Sequence, residues 1–129
     1  MTRNFLFFLV LFPSIAFSAE PSNFQLIVGT YSGEVFNGSN LDPVETTFML
    51  LPDGGLRGTY RVYDDEDGIV EGTISNAFQE KDRMYSFEWT DKYGEGIFIL
   101  TFSTNYKSFN GYWSNYSTDS QLPWTGIKK

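Results

Sequence analysis

Apolar and polar residues alternate along most of the chain, with the two-residue period of β-strands that bury one face. A five-residue pattern, apolar-x-Gly-x-apolar, recurs within this alternation, and its x positions are mostly polar. In a strand, the glycine and both apolar residues then lie on the same face, so the repeats predict a strongly coiled sheet with glycine on its buried face. The repeats are Ile27–Tyr31, Leu56–Tyr60, Val70–Ile74 and Phe109–Trp113.

Clusters of Gly, Asp, Asn and Pro divide the chain into segments of strand length. Beyond the N-terminus no segment has a convincing helical period, and only residues 77–81 are candidates for a single helical turn. The segments predicted as strands are Phe24–Tyr31, Val44–Leu51, Leu56–Tyr63, Ile69–Asn76, Arg83–Thr90, Glu95–Phe102, Ser108–Tyr116 and a short piece at Trp124–Ile127.

Hairpin registers drawn from the loop lengths agree on one buried face. Across the loop Asp64–Gly68, the register places Tyr60 opposite Gly72, so that a ring covers a glycine. A one-residue slip in any hairpin would break this agreement. The other pairs predicted are Arg61 with Glu71, Val62 with Val70, Trp89 with Gly96, Phe87 with Phe98, Tyr85 with Leu100, Phe102 with Phe109, Leu100 with Gly111, Phe98 with Trp113 and, across residues 77–82, Ile74 with Tyr85, Gly72 with Phe87 and Val70 with Trp89.

Seven or eight consecutive antiparallel strands that bury the same face cannot remain a flat open sheet. We therefore predict an all-β fold, an antiparallel up-and-down meander of about 7–8 strands that forms a small barrel. A meander β-sandwich, in which the sheet folds over itself, is the alternative.

The segment Pro52–Tyr60 resembles the turn and strand that open the barrel in avidin-like proteins. Chain length and strand rhythm are also similar to avidin and lipocalin barrels, and this resemblance implies the same up-and-down architecture. The C-terminal Val-Gly-x-Asp of the avidin family is absent, and Gly29-Thr30-Tyr31 stands where lipocalins have Gly-x-Trp. The resemblance therefore implies a fold but no binding residue.

Residues 1–18 have the organisation of an export signal. Arg3 precedes the apolar run Phe5–Phe12, and the small residues Ala16 and Ser18 define a cleavage site. The run is too short to span a bilayer, and no Cys follows it for lipid attachment. We predict a signal peptide at residues 1–18, a single β-barrel-like domain at residues 19–129, a secreted or periplasmic location, and no transmembrane segment in the mature chain.

Composition narrows the possible chemistry. The 129 residues include no Cys and no His, which excludes Ser-His-Asp and Cys-His nucleophiles, disulfides and ordinary zinc or copper sites. A net charge of −7 disfavours nucleic acid as a partner.

The carboxylate pair Glu71 and Glu88 falls on the predicted outer face, so we expect no enzyme activity and no cofactor. The acidic run Asp64–Gly68 fails the spacing of an EF-hand, and we predict no metal site; a looser calcium site is the alternative to a solvated hairpin tip.

Aromatic residues on the buried face form the candidate binding site. Thirteen Phe, eight Tyr and three Trp occur in the chain, and a barrel of about eight strands is either filled by side chains or holds one small ligand. Because rings face glycines, we expect a filled interior with any ligand near one mouth, beneath a long loop at residues 32–43. The candidate ligand-binding residues are Tyr60, Tyr85, Trp89, Trp113 and, in that loop, Phe36.

Together these features predict an exported, non-enzymatic binding protein that takes a small hydrophobic or aromatic ligand at a barrel mouth. The alternative is a protein-interaction module, such as an inhibitor of a secreted enzyme, that uses the acidic loops against a basic partner. The partner is thus predicted to be a small molecule or a secreted protein, with the aromatic face serving the first and the acidic loops the second.

The signal peptide can be tested by the intact mass of the protein that a cell exports. We expect a chain that begins at Ala19, because the peptidase cuts after the small residue Ser18. Ser18→Trp is expected to block this cut, since a bulky residue does not fit that position. Exported wild-type protein that retains Met1 would contradict the prediction.

Overall fold

The computed structural model describes residues 23–129, so the predicted signal peptide lies outside the described residues. Eight antiparallel strands follow one another in up-and-down order, and the first pairs with the last to close a barrel. The predicted all-β barrel is confirmed. In the part described, no helix is long and apolar enough to cross a membrane. The elements are α1 (Phe24–Ile27), β1 (Gly29–Phe36), β2 (Leu41–Leu50), β3 (Leu56–Asp64), β4 (Gly68–Lys81), β5 (Met84–Asp91), β6 (Gly94–Phe102), β7 (Ser108–Asn115) and β8 (Leu122–Lys128).

Three of the predicted hairpin registers are confirmed, namely β3 with β4, β5 with β6 and β6 with β7. Tyr60 lies opposite Gly72, and Trp89 lies opposite Gly96. A Cβ atom on Gly72 would overlap the Tyr60 ring, so this ring occupies the space that a side chain would need. The absence of a side chain at these glycines therefore makes room for rings inside the barrel.

The register predicted between β4 and β5 is wrong. Ile74 lies opposite Trp89 rather than Tyr85, and the other pairings predicted across this connection fail with it. The reason is that β4 continues to Lys81, through two pairing irregularities and a left-handed residue, Asn76, at φ 55°. Residues 77–81 are consequently strand rather than a helical turn. At Ile74 the error is four residues, an even number, so the inward face predicted there is correct.

The long loop predicted at residues 32–43 is also wrong, because only residues 37–40 connect β1 to β2. The side-chain oxygen of Asn37 accepts hydrogen bonds from the backbone N–H groups of residues 39 and 40, each at 2.8 Å, and so stabilises a tight turn. Phe36 and Leu41 pair with each other as the strand residues that flank this turn. They therefore form the end of a hairpin rather than a lid.

One end of the barrel is closed by α1 and the loop between β6 and β7. The helical turn Phe24–Ile27 occupies the first half of the segment Phe24–Tyr31, which the sequence predicts as the first strand. The Tyr31 hydroxyl donates to the carbonyl oxygen of Ile27 at 2.7 Å and ties the helix to β1. Tyr106, in the loop, stacks on Phe102 with ring centroids 5.3 Å apart. Side chains of α1 and this loop thus cover this end of the interior, which we call the closed end.

Aromatic rings fill the interior from the closed end upwards. Neighbouring ring centroids in this cluster lie 5.3–6.4 Å apart, mostly tilted or edge to face, as aromatic pairs prefer. The filled interior that the sequence predicts is therefore present in this part of the barrel. Its rings belong to Tyr31, Phe48, Phe87, Phe98, Phe102 and Phe109.

Substituting the inward glycines tests this packing. A valine side chain at position 72 would displace the Tyr60 ring, and one at position 96 would meet the carbonyl oxygen of Ser114. Gly72→Val and Gly96→Val are each expected to lower the free energy of unfolding by about 1–3 kcal/mol through overpacking, measured by urea denaturation. The control Thr73→Val faces solvent and should change it by no more than about 0.5 kcal/mol. Equal stability of all three variants would contradict the packing.

Candidate binding site at the open end of the barrel

A cavity of about 440 Å³ opens at the end of the barrel opposite α1. The turns between β1 and β2, β3 and β4, β5 and β6, and β7 and β8 all lie at this end, because the strands run up and down. We call it the mouth. Its aromatic lining consists of Tyr60, Trp89, Tyr93, Trp113 and Trp124.

Trp124 forms the floor of the mouth. Its ring stacks on Phe98 of the filled interior, with centroids 3.7 Å apart and 19° between planes. On the wall, Tyr60 meets Trp124 edge to face at 4.9 Å. Trp89 and Trp113 form a second perpendicular pair, 5.4 Å apart. Because each ring is held by another ring, the walls are pre-formed rather than assembled around a ligand.

The indole N–H groups of the three tryptophans all donate to acceptors within the protein. A ligand in the mouth therefore meets the rings but not these donors. Trp89 donates to the carbonyl oxygen of Ser114, Trp113 to that of Phe36 and Trp124 to the hydroxyl of Thr46, at 2.9, 3.0 and 3.0 Å.

Tyr60 also uses its donor within the protein. Its hydroxyl donates to Asp91 Oδ2 at 2.8 Å, and the other oxygen of this carboxylate accepts from the backbone N–H of Tyr93. Burial raises the pKa of Tyr60, so the hydroxyl stays protonated. Burial also raises the pKa of Asp91, against the bond from Tyr60, which lowers it. The bond thus fixes the Tyr60 ring in the wall.

Five carboxylates line the mouth together with the rings. Asp64 accepts backbone N–H groups from Glu66 at 2.7 Å and from Asp67 at 3.0 Å. These two bonds hold the pKa of Asp64 below its usual value, so it is ionised at neutral pH. The five are Asp42, Asp64, Glu66, Asp67 and Asp91.

Asp42 differs from the other four because it is buried, with 4% of its surface exposed. Its Oδ2 atom accepts a hydrogen bond from Asn37 Nδ2 at 3.0 Å. Within residues 23–129, its Oδ1 atom has no hydrogen-bond donor and no cation pairs with the carboxylate. Burial raises the pKa of Asp42, the charge of Asp64 adds to this, and the bond from Asn37 opposes it. The mouth thus contains one carboxylate oxygen without a partner.

The structure brings three of the five sequence-predicted candidates together, because Tyr60, Trp89 and Trp113 all line the mouth. Tyr85 lies instead at the closed end, where its hydroxyl is 3.4 Å from that of Tyr106. Trp89 and Tyr85 face inward on the same strand at different depths, and strand alternation predicts the face but not the depth. Phe36 contributes its carbonyl oxygen as the acceptor for Trp113.

Four lining residues are not among the candidates predicted from the sequence: Trp124, Tyr93, Asp42 and Asp91. Asp42 had a usable signal, because the alternation that places Val44 inward also places the residue two positions earlier inward. Trp124 likewise alternates with Gly126, which lies opposite the interior ring of Phe109. Tyr93 lies in a turn, where alternation gives no information.

The acidic side chains of the mouth are not arranged as a metal centre. Among the residues that the structure describes, no three acidic side chains come close enough to hold a metal ion. The predicted solvated hairpin tip agrees with the turn at Asp64, whose carboxylate already accepts two backbone N–H groups.

A second hollow, of about 360 Å³, lies at the closed end beside α1. Its aromatic lining is Phe24, and its charged lining is Arg57. It lacks both the ring walls and the carboxylates of the mouth, which makes the mouth the better candidate site.

No protein-family model matches the chain, and no curated protein sequence matches it. The interpretation of the mouth therefore rests on its own geometry and chemistry.

Replacing the buried carboxylate of Asp42 tests its electrostatic state. Because its pKa is raised in the folded protein, the ionised form destabilises the fold as the pH rises through that pKa. Asp42→Asn keeps an oxygen for the bond from Asn37 but carries no charge. We expect its urea midpoint at neutral pH to equal or exceed that of the wild type, and the difference to disappear in acid, where Asp42 is protonated. A lower midpoint at neutral pH would contradict this.

Proposed function

We propose that the protein is an exported, non-enzymatic binding protein that takes a small hydrophobic or aromatic molecule into the mouth of its barrel. The observation that carries this proposal is the contrast between the two ends. Rings fill the interior at the closed end, and the hollow beside α1 has a single ring in its lining, whereas the mouth keeps a cavity of about 440 Å³ with aromatic walls. Small-molecule sites typically have volumes of about 300–1,000 Å³ and mostly apolar walls.

The positions of the carboxylates support a binding role rather than catalysis. Glu71 and Glu88 lie on the outward face of the barrel, and Glu71 pairs with Arg61 at 3.0 Å. In the mouth, both oxygens of Asp91 already accept hydrogen bonds. Paired acids beside a bound substrate, as in glycosidases, require a free acid and a free base at a suitable separation.

A protein-interaction module, such as an inhibitor of a secreted enzyme, is the second candidate. It is favoured by exposed apolar side chains beside the acidic turn, notably Ile69 and Tyr93, which are 50% and 61% exposed. Acidic groups at the rim would attract a basic surface, and apolar groups would pack against it. Such a partner would cover the mouth rather than enter it.

Binding of the neutral fluorescent probe N-phenyl-1-naphthylamine tests the small-molecule proposal. We expect the wild type to bind the probe, and Trp113→Ala to weaken binding about three- to tenfold through loss of a ring contact. Val62→Phe should also weaken binding because Val62 lines the cavity. The control Phe78→Ala removes an exposed ring outside the cavity and should leave affinity unchanged. Equal affinity in all four proteins would contradict the proposal.

Salt concentration separates the two candidates. Association of a basic protein with the acidic rim should weaken sharply as salt rises, because screening reduces attraction between exposed charges. Affinity for the neutral probe should hardly change. Native mass spectrometry of the exported protein complements this comparison, since it reports either a co-purifying small molecule or a protein partner.

A further inference from the structure

The side chains that line the mouth offer free donors only at its rim and a free acceptor deeper inside. The donors of the three tryptophans and Tyr60, and one amide N–H of Asn37, are engaged within the protein. The second amide N–H of Asn37 and the side chains of Ser39, Asn40 and Tyr93 offer further donors, but all four residues lie at the exposed rim. Acceptors remain deeper in the mouth, above all the Oδ1 atom of Asp42. A ligand that satisfies the mouth must therefore supply donors.

Asp42 and Trp124, which carry the buried acceptor and the floor ring, flank the same residue of β1. Val35 pairs with Asp42 on one neighbouring strand and with Trp124 on the other. All three residues are buried and line the cavity. A second link is the Thr46 hydroxyl, which accepts from Trp124 and lies four residues along the same face of the strand from Asp42. A single small molecule in the mouth thus meets both a carboxylate oxygen and an aromatic ring.

The charge around Asp42 is negative. The charges of Asp64 and Asp65 both raise its pKa, and no described cation acts on it. Lys92 lowers the pKa of Asp64 and of Asp91, but its ammonium group lies 5.2 Å from the ring centre of Tyr93 and is not part of the cavity lining. An anionic ligand would be repelled here, and a neutral one would leave the carboxylate charge uncompensated.

We propose that the ligand of the mouth is a small organic cation, an ammonium group carried on an aromatic or apolar body. This inference rests on the proposed small-molecule function and names the chemical class of the ligand. The ammonium group donates to Asp42 and the body packs against Trp124 and Trp113. Indole faces attract cations, so the rings favour the same charge as the carboxylates.

Three probes of nearly equal shape test the charge preference by calorimetry: 2-(1-naphthyl)ethylamine, which is protonated at neutral pH, 2-(1-naphthyl)ethanol and 3-(1-naphthyl)propanoate. We expect the amine to bind at least about tenfold more tightly than the alcohol, and the carboxylate to bind most weakly. Alcohol binding as tight as amine binding, or tighter binding of the carboxylate, would overturn the inference while the proposed function stands. If none of the three binds, the inference falls, and the proposed function falls with it only if N-phenyl-1-naphthylamine does not bind either.

The Asp42→Asn variant tests whether Asp42 is the source of the preference for a cationic ligand. We expect it to weaken amine binding about tenfold and to leave alcohol binding unchanged, because only the charged hydrogen bond is lost. The matched control Asp53→Asn removes the same charge from an exposed turn at the closed end. It should leave both affinities unchanged. Equal losses in the two variants would show an effect of net charge alone and would overturn the role of Asp42.

A lysine side chain of a protein carries the same ammonium group, so Nα-acetyl-lysine amide is measured beside the naphthyl amine. It lacks the aromatic body that the walls of the mouth contact. We expect it to bind at least about tenfold more weakly than the amine. Tighter binding of the lysine amide would assign the mouth to a basic protein and overturn the small-molecule inference.

Discussion

An eight-stranded barrel has an interior only just wide enough for side chains, and this chain turns aromatic rings towards it at many positions. Glycine on the facing strand makes the rings fit. Tyr60 occupies the space above Gly72, and Trp89 that beside Gly96. Since a one-residue slip would turn these rings outward, the same contacts fix the strand registers and, through them, the closure of the barrel.

The difference between the two ends follows from the size of the inward side chains. Along β2, the inward positions read Phe48, Thr46, Val44 and Asp42 from the interior to the mouth. The ring belongs to the filled interior, and the smaller side chains beyond it leave space that Trp124 bounds from below. The cavity is therefore a consequence of which residues occupy successive depths on one face. It requires no separate domain or lid.

The dependence of strand pairing on turn length and on inward side chains explains which strand registers the sequence could predict. Alternation and short turns were sufficient for three registers, because loops such as Asp64–Gly68 leave little freedom in pairing. They were insufficient for β4 with β5. Here the irregularities near Asn76 place extra residues on β4 that have no partner on β5, so the register cannot be counted from the turn. The long loop predicted at residues 32–43 is wrong because the tight turn that replaces it depends on side-chain bonds of Asn37.

The candidate site was predictable in part for the same reason. Strand alternation identified Tyr60, Trp89 and Trp113 as inward, but it equally selected Tyr85, which lies at the closed end. Depth in a barrel depends on strand stagger, which a local pattern does not contain. Asp42 lies in the loop predicted at residues 32–43, so its inward position follows from the sequence only if the alternation continues beyond Val44, as it does in β2.

At position 42, the stability of the fold and the binding of a cation favour different side chains. The bond from Asn37 needs only an oxygen acceptor, which an asparagine would supply as well as an aspartate. What the aspartate adds is charge, in a buried position next to Asp64, where the raised pKa shows that ionisation is unfavourable. Stability alone would therefore favour the neutral residue. A cation in the mouth reverses this balance, because it pairs with the free oxygen and lowers the cost of the charge.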